Sequence, residues 1–129
     1  MTTWASDELD KIGTAEELEI ASMRRDGTLR SSVIIWVARV GDDLYVRAYK
    51  GRSSPWFRGT QTRHEGHIQA GGVAKDVTFV EADGDAALND RIDAEYRSKY
   101  RRYFDIVGDM VTAQARSATI QLVPRSTSS

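Results

Sequence analysis

The residues with the most chemical potential form the stretch YKGRSSPWFRG, Tyr49 to Gly59. Lys50, Arg52 and Arg58 bring cations, Gly51 allows close backbone approach, and Ser53 and Ser54 bring hydroxyls. Ser54-Pro55 is a strong helix start, with Ser at the cap, Pro at the first helical position and amides pointing outward. These are the ingredients of a phosphate site, in which charge-assisted hydrogen bonds and helix amides converge on one anion. From Leu44 to His64 there are five cations, Arg47, Lys50, Arg52, Arg58 and Arg63, and no acid, in a chain whose acids outnumber its bases 19 to 18. A surface turn with solvated cations is the alternative, and the missing acids favour a site. The loop is not a Walker loop, because neither GxxxxGK(S/T) nor a GxGxxG after a strand occurs.

Other constellations carry less. His64 and His67 in HEGH lack a third ligand nearby, so no metal site is expected there. No GxSxG accompanies the serines, which leaves a nucleophilic hydrolase without support. Asp76 falls in a strand and is expected to pair with a cation such as Lys75 or an arginine across the sheet. YRSKYRRY, Tyr96 to Tyr103, mixes cations and aromatics in a way that suits nucleic acid, but its tyrosines have helical core spacing. A net charge of −1 argues against nucleic acid or an anionic membrane as a partner. With no cysteine, disulfides and thiolate chemistry are excluded. The acidic opening MTTWASDELDKIG and the lack of a long apolar run point to a cytoplasmic protein.

The elements that must position these residues are legible in outline. Ser6 caps a predicted short helix, Asp7 to Ile12, and Thr14 with Glu17 forms a capping-box pattern predicting a second helix through about Met23. Arg25-Asp26-Gly27-Thr28 reads as a turn into a strand over Leu29 to Val40, whose VIIWV centre looks buried on both faces. Gly41-Asp42-Asp43 turns the chain into LYVRAY, with Leu44, Val46 and Ala48 on one face and Tyr45, Arg47 and Tyr49 on the other. Strands follow around His67 to Ala70 and Val73 to Ala82. Asp85 caps the longest helix, where Leu88, Ile92, Tyr96, Tyr100 and Phe104 form a stripe that Gly108 interrupts. ATIQLV closes the chain as a strand ending at Pro124. The 129 residues suit one domain, with N-terminal helices over 1–25 and a polar tail at 125–129. Mostly antiparallel strands with peripheral helices predict an α+β barrel of five or six strands.

The frame RRDGTLRSSVIIWVARVGDDLYVRAYKGRSSPWFRG, continued in AGGVAKDVTF, resembles the bacterial family numbered 2255 among the domains of unknown function, over nearly the whole chain. More remotely it is similar to the deazaflavin-dependent nitroreductases and the wider FMN-binding split barrels, including pyridoxamine phosphate oxidase. Gly27 and Arg30 match a Gly-x-x-Arg turn of that group. Lys50, Gly51, Pro55, Trp56 and Phe57 match its Ser-Lys-Gly-Gly loop followed by Pro and an aromatic pair. Tyr49 replaces the usual Ser, Arg52 replaces the second Gly, and the loop is shorter. The resemblance implies a split β-barrel, a homodimer and an FMN or deazaflavin cofactor serving as oxidoreductase centre for an unknown small molecule. Lys50, Gly51, Arg52, Ser53 and Ser54 would hold phosphate, Arg47 and Arg30 would add charge, and Trp36, Tyr49 or Trp56 would pack on the ring. A cofactor-free barrel that binds a small anionic ligand is the alternative.

Overall fold

A computed structural model describes residues 3–125. In chain order the elements are α1 (Ser6–Thr14), β1 (Leu18–Ser22), β2 (Val33–Ile35), β3 (Val37–Val40), β4 (Asp43–Arg47), α2 (Pro55–Arg63), β5 (Glu65–Ala70), β6 (Val73–Glu81), α3 (Ala86–Lys99), a 3-10 turn (Arg101–Tyr103), α4 (Phe104–Met110), α5 (Ala113–Arg116) and β7 (Thr119–Pro124). The strands pair antiparallel in the order β2-β1-β5-β6-β7-β4-β3. Its two end strands, β2 and β3, are consecutive in the chain and separated only by Trp36. The sheet therefore closes on itself. At Trp36 the chain leaves its pairing with β1 (Leu18 opposite Ile35) and takes up pairing with β4 (Val37 opposite Val46). This is an α+β split β-barrel, with β2 and β3 as one bent segment forming the seam.

Two apolar layers hold it. Inside the barrel, Leu18, Ile20, Val37, Leu44, Val46, Ile68, Val77, Phe79, Ile120 and Leu122 pack together, with Leu9 and Ile12 of α1 and Phe57 of α2 joining the same core. Outside, α3 and α4 cover β3 and β4 through Ile92, Tyr96, Tyr100, Val107 and Met110 against Ala38, Val40 and Tyr45. β4 is thus buried on both faces, and the alternation read from LYVRAY separates barrel interior from helix-covered exterior. Burial pushes the phenols of Tyr96 and Tyr100 well above the usual tyrosine range.

Several local expectations hold. Gly27 has φ 90, and the Asp26 carboxylate accepts from the Thr28 amide at 3.0 Å in the turn before Arg30. The Asp85 carboxylate accepts from the Leu88 amide at 3.0 Å, capping α3. Other expectations are corrected. The predicted second helix over Thr14 to Met23 is strand β1, because Leu18 and Ile20 enter the core while β2 and β5 both pair with it; pairing on two sides outweighs a capping-box pattern. The Thr14 hydroxyl instead donates to the Asp10 carbonyl at 2.8 Å, closing α1. The VIIWV centre is not buried on both faces, since Val33 is 37% and Ile34 61% exposed beside the seam. The long helix breaks at Tyr100, before Gly108, and the intervening 3-10 turn rotates the stripe so that Phe104 lies 73% exposed. Of the expected tail, Arg125 is tied down by its amide to the Asp76 carbonyl (2.9 Å) and its guanidinium to Glu65 (3.0 Å), and 126–129 lie outside the described residues.

Candidate functional site

The seam creates a cleft. A bend at Trp36 opens a space that the chain leaving β4 and the start of α2 border on one side and α4 on the other. Its volume is about 590 Å³, and its walls include Val33, Ile34, Ile35, Trp36, Tyr49, Pro55, Trp56, Ile106 and Met110, with Arg47, Lys50, Ser54 and Asp109 as the polar members. That size and character suit an aromatic small molecule. Trp36 is fixed from behind by stacking on Tyr100, with centroids 3.9 Å apart and planes at 4°, and Tyr100 is held by its hydroxyl, which donates to the Glu16 carbonyl at 2.7 Å. Lys99, the neighbour of Tyr100, donates to the Val37 carbonyl at 2.8 Å, and its burial lowers its pKa to about 8.

A second, smaller hollow of about 250 Å³ lies alongside, lined by Ile20, Ser22, Arg24, Arg30, Ser31, Val33, Pro55 and Trp56. Val33, Pro55 and Trp56 border both spaces. Two serines are the informative residues. Ser22 and Ser54 are only 6% and 8% exposed, and neither hydroxyl makes a hydrogen bond among the described residues, yet neither oxygen is fully sealed from solvent. Ser54 occupies the cap position of α2 without bonding the helix through its side chain. Ser54 lines the cleft and Ser22 the adjoining hollow, so each residue offers a hydroxyl beside one of the two spaces. Gly59 belongs to this arrangement: a Cβ there would lie 2.3 Å from the Ser22 hydroxyl and 3.2 Å from Arg30 Nε, so a glycine inside α2 makes room for both side chains.

The structure gathers some predicted residues and disperses others. Trp36, Tyr49, Lys50, Ser54 and Trp56 line the cleft, and Arg30 lines the adjoining hollow. The Lys50 ammonium makes no side-chain hydrogen bond or ion pair among the described residues and lies 5.6 Å from the Tyr49 ring centroid. Arg47 is different. Its side chain is fully buried and every N–H is used: Nε donates to Thr119, Nη1 to Asp93 and the Met110 carbonyl, and Nη2 to the carbonyl and side-chain oxygen of Asn89. It touches the cleft wall but has no donor left for an anion. Arg52 turns away towards Glu81 (2.6 Å) and the Ser117 carbonyl (2.8 Å), lying over Phe57. Gly51, at φ 84, faces Gln114 of α5, which donates to the Lys50 carbonyl at 2.6 Å and would collide with a Cβ at 2.6 Å. Its conformational freedom serves that packing. Ser53 is exposed and lines neither space.

Of the remaining candidates, His67 pairs with Asp76 at 2.9 Å, so the partner of Asp76 is neither Lys75 nor an arginine; Lys75 reaches Glu8 instead. His64 closes α2 in the left-handed conformation. Among the described residues no three His, Asp or Glu side chains converge as a metal site, and no helix is long and apolar enough to cross a membrane. Sequence reasoning missed Ser22, Arg24 and Asp109. The first was lost with β1, since only a strand reading carries Ser22 to the sheet end beside α2. Arg24 stands in the RRDGTLR frame, six residues from Arg30, and was legible there. Asp109 had no local signal.

A closed sheet split at one bent strand, with a cleft at the bend, defines a split barrel. The chain belongs to the family described as uncharacterized protein conserved in bacteria (DUF2255), whose model matches residues 8–122. Among solved structures it is similar in fold to the heme storage protein HutZ from Vibrio cholerae, at 12% identity over 94% of this chain and 90% of that one, with a TM-score of 0.66. The conserved hypothetical protein Rv2991 from Mycobacterium tuberculosis matches at 11% identity over 98% and 83% of the two chains, with a TM-score of 0.63. An FAD-binding protein from Mesorhizobium loti matches at 15% identity over 96% and 92%, with a TM-score of 0.56. No curated protein matches.

Proposed function

We propose that the cleft binds a flavin or deazaflavin, with the ring system between Trp36, Tyr49 and Trp56 and its phosphate beside Trp56, and that the bound pair acts as an oxidoreductase on a small molecule. The observation that carries this reading is the pair of unbonded, nearly buried hydroxyls of Ser22 and Ser54, flanked by Arg30 and Lys50. Lys50 and Ser54 would supply charge and a hydroxyl from the cleft, Arg30 and Ser22 the same from the adjoining hollow, and the first amides of α2 have no helical acceptor of their own. The residues present thus fit a phosphate, on a set that differs from a loop of Lys50 to Ser54 alone. The apolar wall of Ile35 and Met110 would shield one side of the ring from water. The cofactor supplies hydride transfer when bound; the protein orients it and sets its surroundings. The fold resemblance to an FAD-binding protein is consistent with this reading.

The same reading includes a second copy of the chain. Ile34 (61%), Tyr49 (52%) and Ile106 (54%) are exposed around the cleft mouth, an apolar rim that a second barrel would cover together with the edge of Trp36.

Titration of the purified protein into FMN and into a deazaflavin tests the function. Saturable quenching of flavin fluorescence is expected. Unchanged fluorescence with both refutes the cofactor and leaves the cofactor-free anion-binding barrel in its place.

A further inference from the structure

Three charged side chains border the cleft: Arg47, Lys50 and Asp109. Arg47 is saturated within the protein, which leaves one ammonium and one carboxylate. These two do not neutralise each other: no ion pair or side-chain hydrogen bond joins either of them to another residue among the described residues. The Thr112 hydroxyl comes close to Asp109 but bonds its carbonyl, at 3.3 Å.

The position of Asp109 is also unfavourable for the helix that carries it. It is the sixth residue of the seven in α4, in the last turn, where unpaired carbonyls already concentrate negative charge. The other acid of α4, Asp105, sits in the first turn, where the helix dipole favours it. Asp109 is exposed, makes no side-chain bond among the described residues, stands at the helix end that the dipole disfavours for an acid, and borders the cleft together with Ile106 and Met110 of the same helix. Local violations of stability rules concentrate at functional positions.

We propose that Asp109 is the specificity-determining residue of the cleft, selecting ring systems that present an N–H donor to the α4 wall. This rests on the flavin-type reading above. Flavins and deazaflavins share one edge of this kind, an N–H between two carbonyls. A carboxylate accepts that N–H and disfavours rings whose corresponding edge is alkylated or carries only acceptors. Lys50, a donor across the cleft, has the opposite preference and takes the anionic part of the ligand. The two unpaired charges thus orient the ligand as well as hold it.

The test uses lumiflavin and 3-methyllumiflavin, which have no phosphate and so do not depend on Lys50 or Arg30. In the unaltered protein lumiflavin binds about tenfold more tightly, a difference of about 1.4 kcal/mol. In Asp109→Ala the ratio falls to about one through loss of lumiflavin affinity, with 3-methyllumiflavin unchanged. Asp109→Asn, which keeps a carbonyl oxygen, retains part of the preference. A ratio near one in the unaltered protein, or a tenfold ratio that survives in Asp109→Ala, overturns the inference and leaves the cofactor reading intact. Binding of neither flavin removes both.

Discussion

Replacing Arg47 by Met should cost the protein stability without entering the ligand chemistry directly. The guanidinium is fully buried and bonded to Asp93, Asn89, Thr119 and the Met110 carbonyl. It thereby joins β4 to α3, β7 and α4. Met fills much of the same volume but leaves the Asp93 carboxylate, whose side chain is 9% exposed, without its main partner. Breaking a buried pair from one side costs about 3–5 kcal/mol. Arg116 stays 3.5 Å from the second oxygen of Asp93 and is partly exposed, which places the expected loss at the lower end, about 3 kcal/mol. Domains of this kind have about 5–15 kcal/mol in total, so the variant should fold but unfold early. With a urea slope of about 2 kcal/mol per molar, the midpoint should fall by about 1.5 M. The double variant Arg47→Met with Asp93→Leu removes both charges and should recover most of the loss. Chemical denaturation followed by tryptophan fluorescence measures all three proteins. A single variant within 1 kcal/mol of the unaltered protein, or unchanged stability with weakened FMN binding, would refute the reasoning and return Arg47 to the ligand.

Arg30→Gln and Lys50→Gln should each weaken FMN by about tenfold or more while leaving riboflavin nearly unchanged, since each removes about 1.5–3 kcal/mol of charge-assisted hydrogen bonding to phosphate; equal losses for both ligands in a calorimetric titration would displace the phosphate from this site. Arg52→Gly should leave FMN affinity within about threefold, because Arg52 faces Glu81 and Ser117; a larger change in either direction contradicts that placement. Gly59→Ala should weaken FMN by displacing Ser22 and Arg30, although alanine favours a helix interior by about 1 kcal/mol; tighter binding would show that the space above Gly59 has no role. Ile34→Asp and Ile106→Asp should sediment as single chains if the apolar rim joins two copies, and an unchanged dimer mass would exclude that face. Lys99 is held at a pKa of about 8 against the ordinary 10.5. The unfolded chain therefore keeps its proton where the folded chain has lost it, and stability relative to Lys99→Gln should rise from pH 8 to 10. Below pH 8 both states are protonated and the difference should be flat. A difference that falls with pH reverses the sign and the assignment.

What the amino-acid sequence determined by itself is local. The Asp26-Gly27 turn, the Ser54-Pro55 helix start, the Asp85 cap and the alternation of LYVRAY each follow from backbone preferences and side-chain bonds within a few residues, and each stands in the structure. Most of the antiparallel strands were legible for the same reason, and with them a barrel, although seven strands form where five or six were expected. Tertiary structure alone decided which cations are free. Arg47 and Arg52 look like Lys50 in the sequence, but Arg47 is fully bonded inside the fold, to Thr119 72 residues away among others, and Arg52 is turned to Glu81 and to Ser117, 65 residues away, whereas Lys50 borders the cleft. It also decided that Leu18–Ser22 is a strand, because two neighbouring strands satisfy its backbone and local helix propensity is worth less than those bonds. That decision brought Ser22 beside Gly59 and Arg30. Whether a polar group is available to a ligand depends on what the fold has already bonded to it, and that is a property of contacts made across the whole chain.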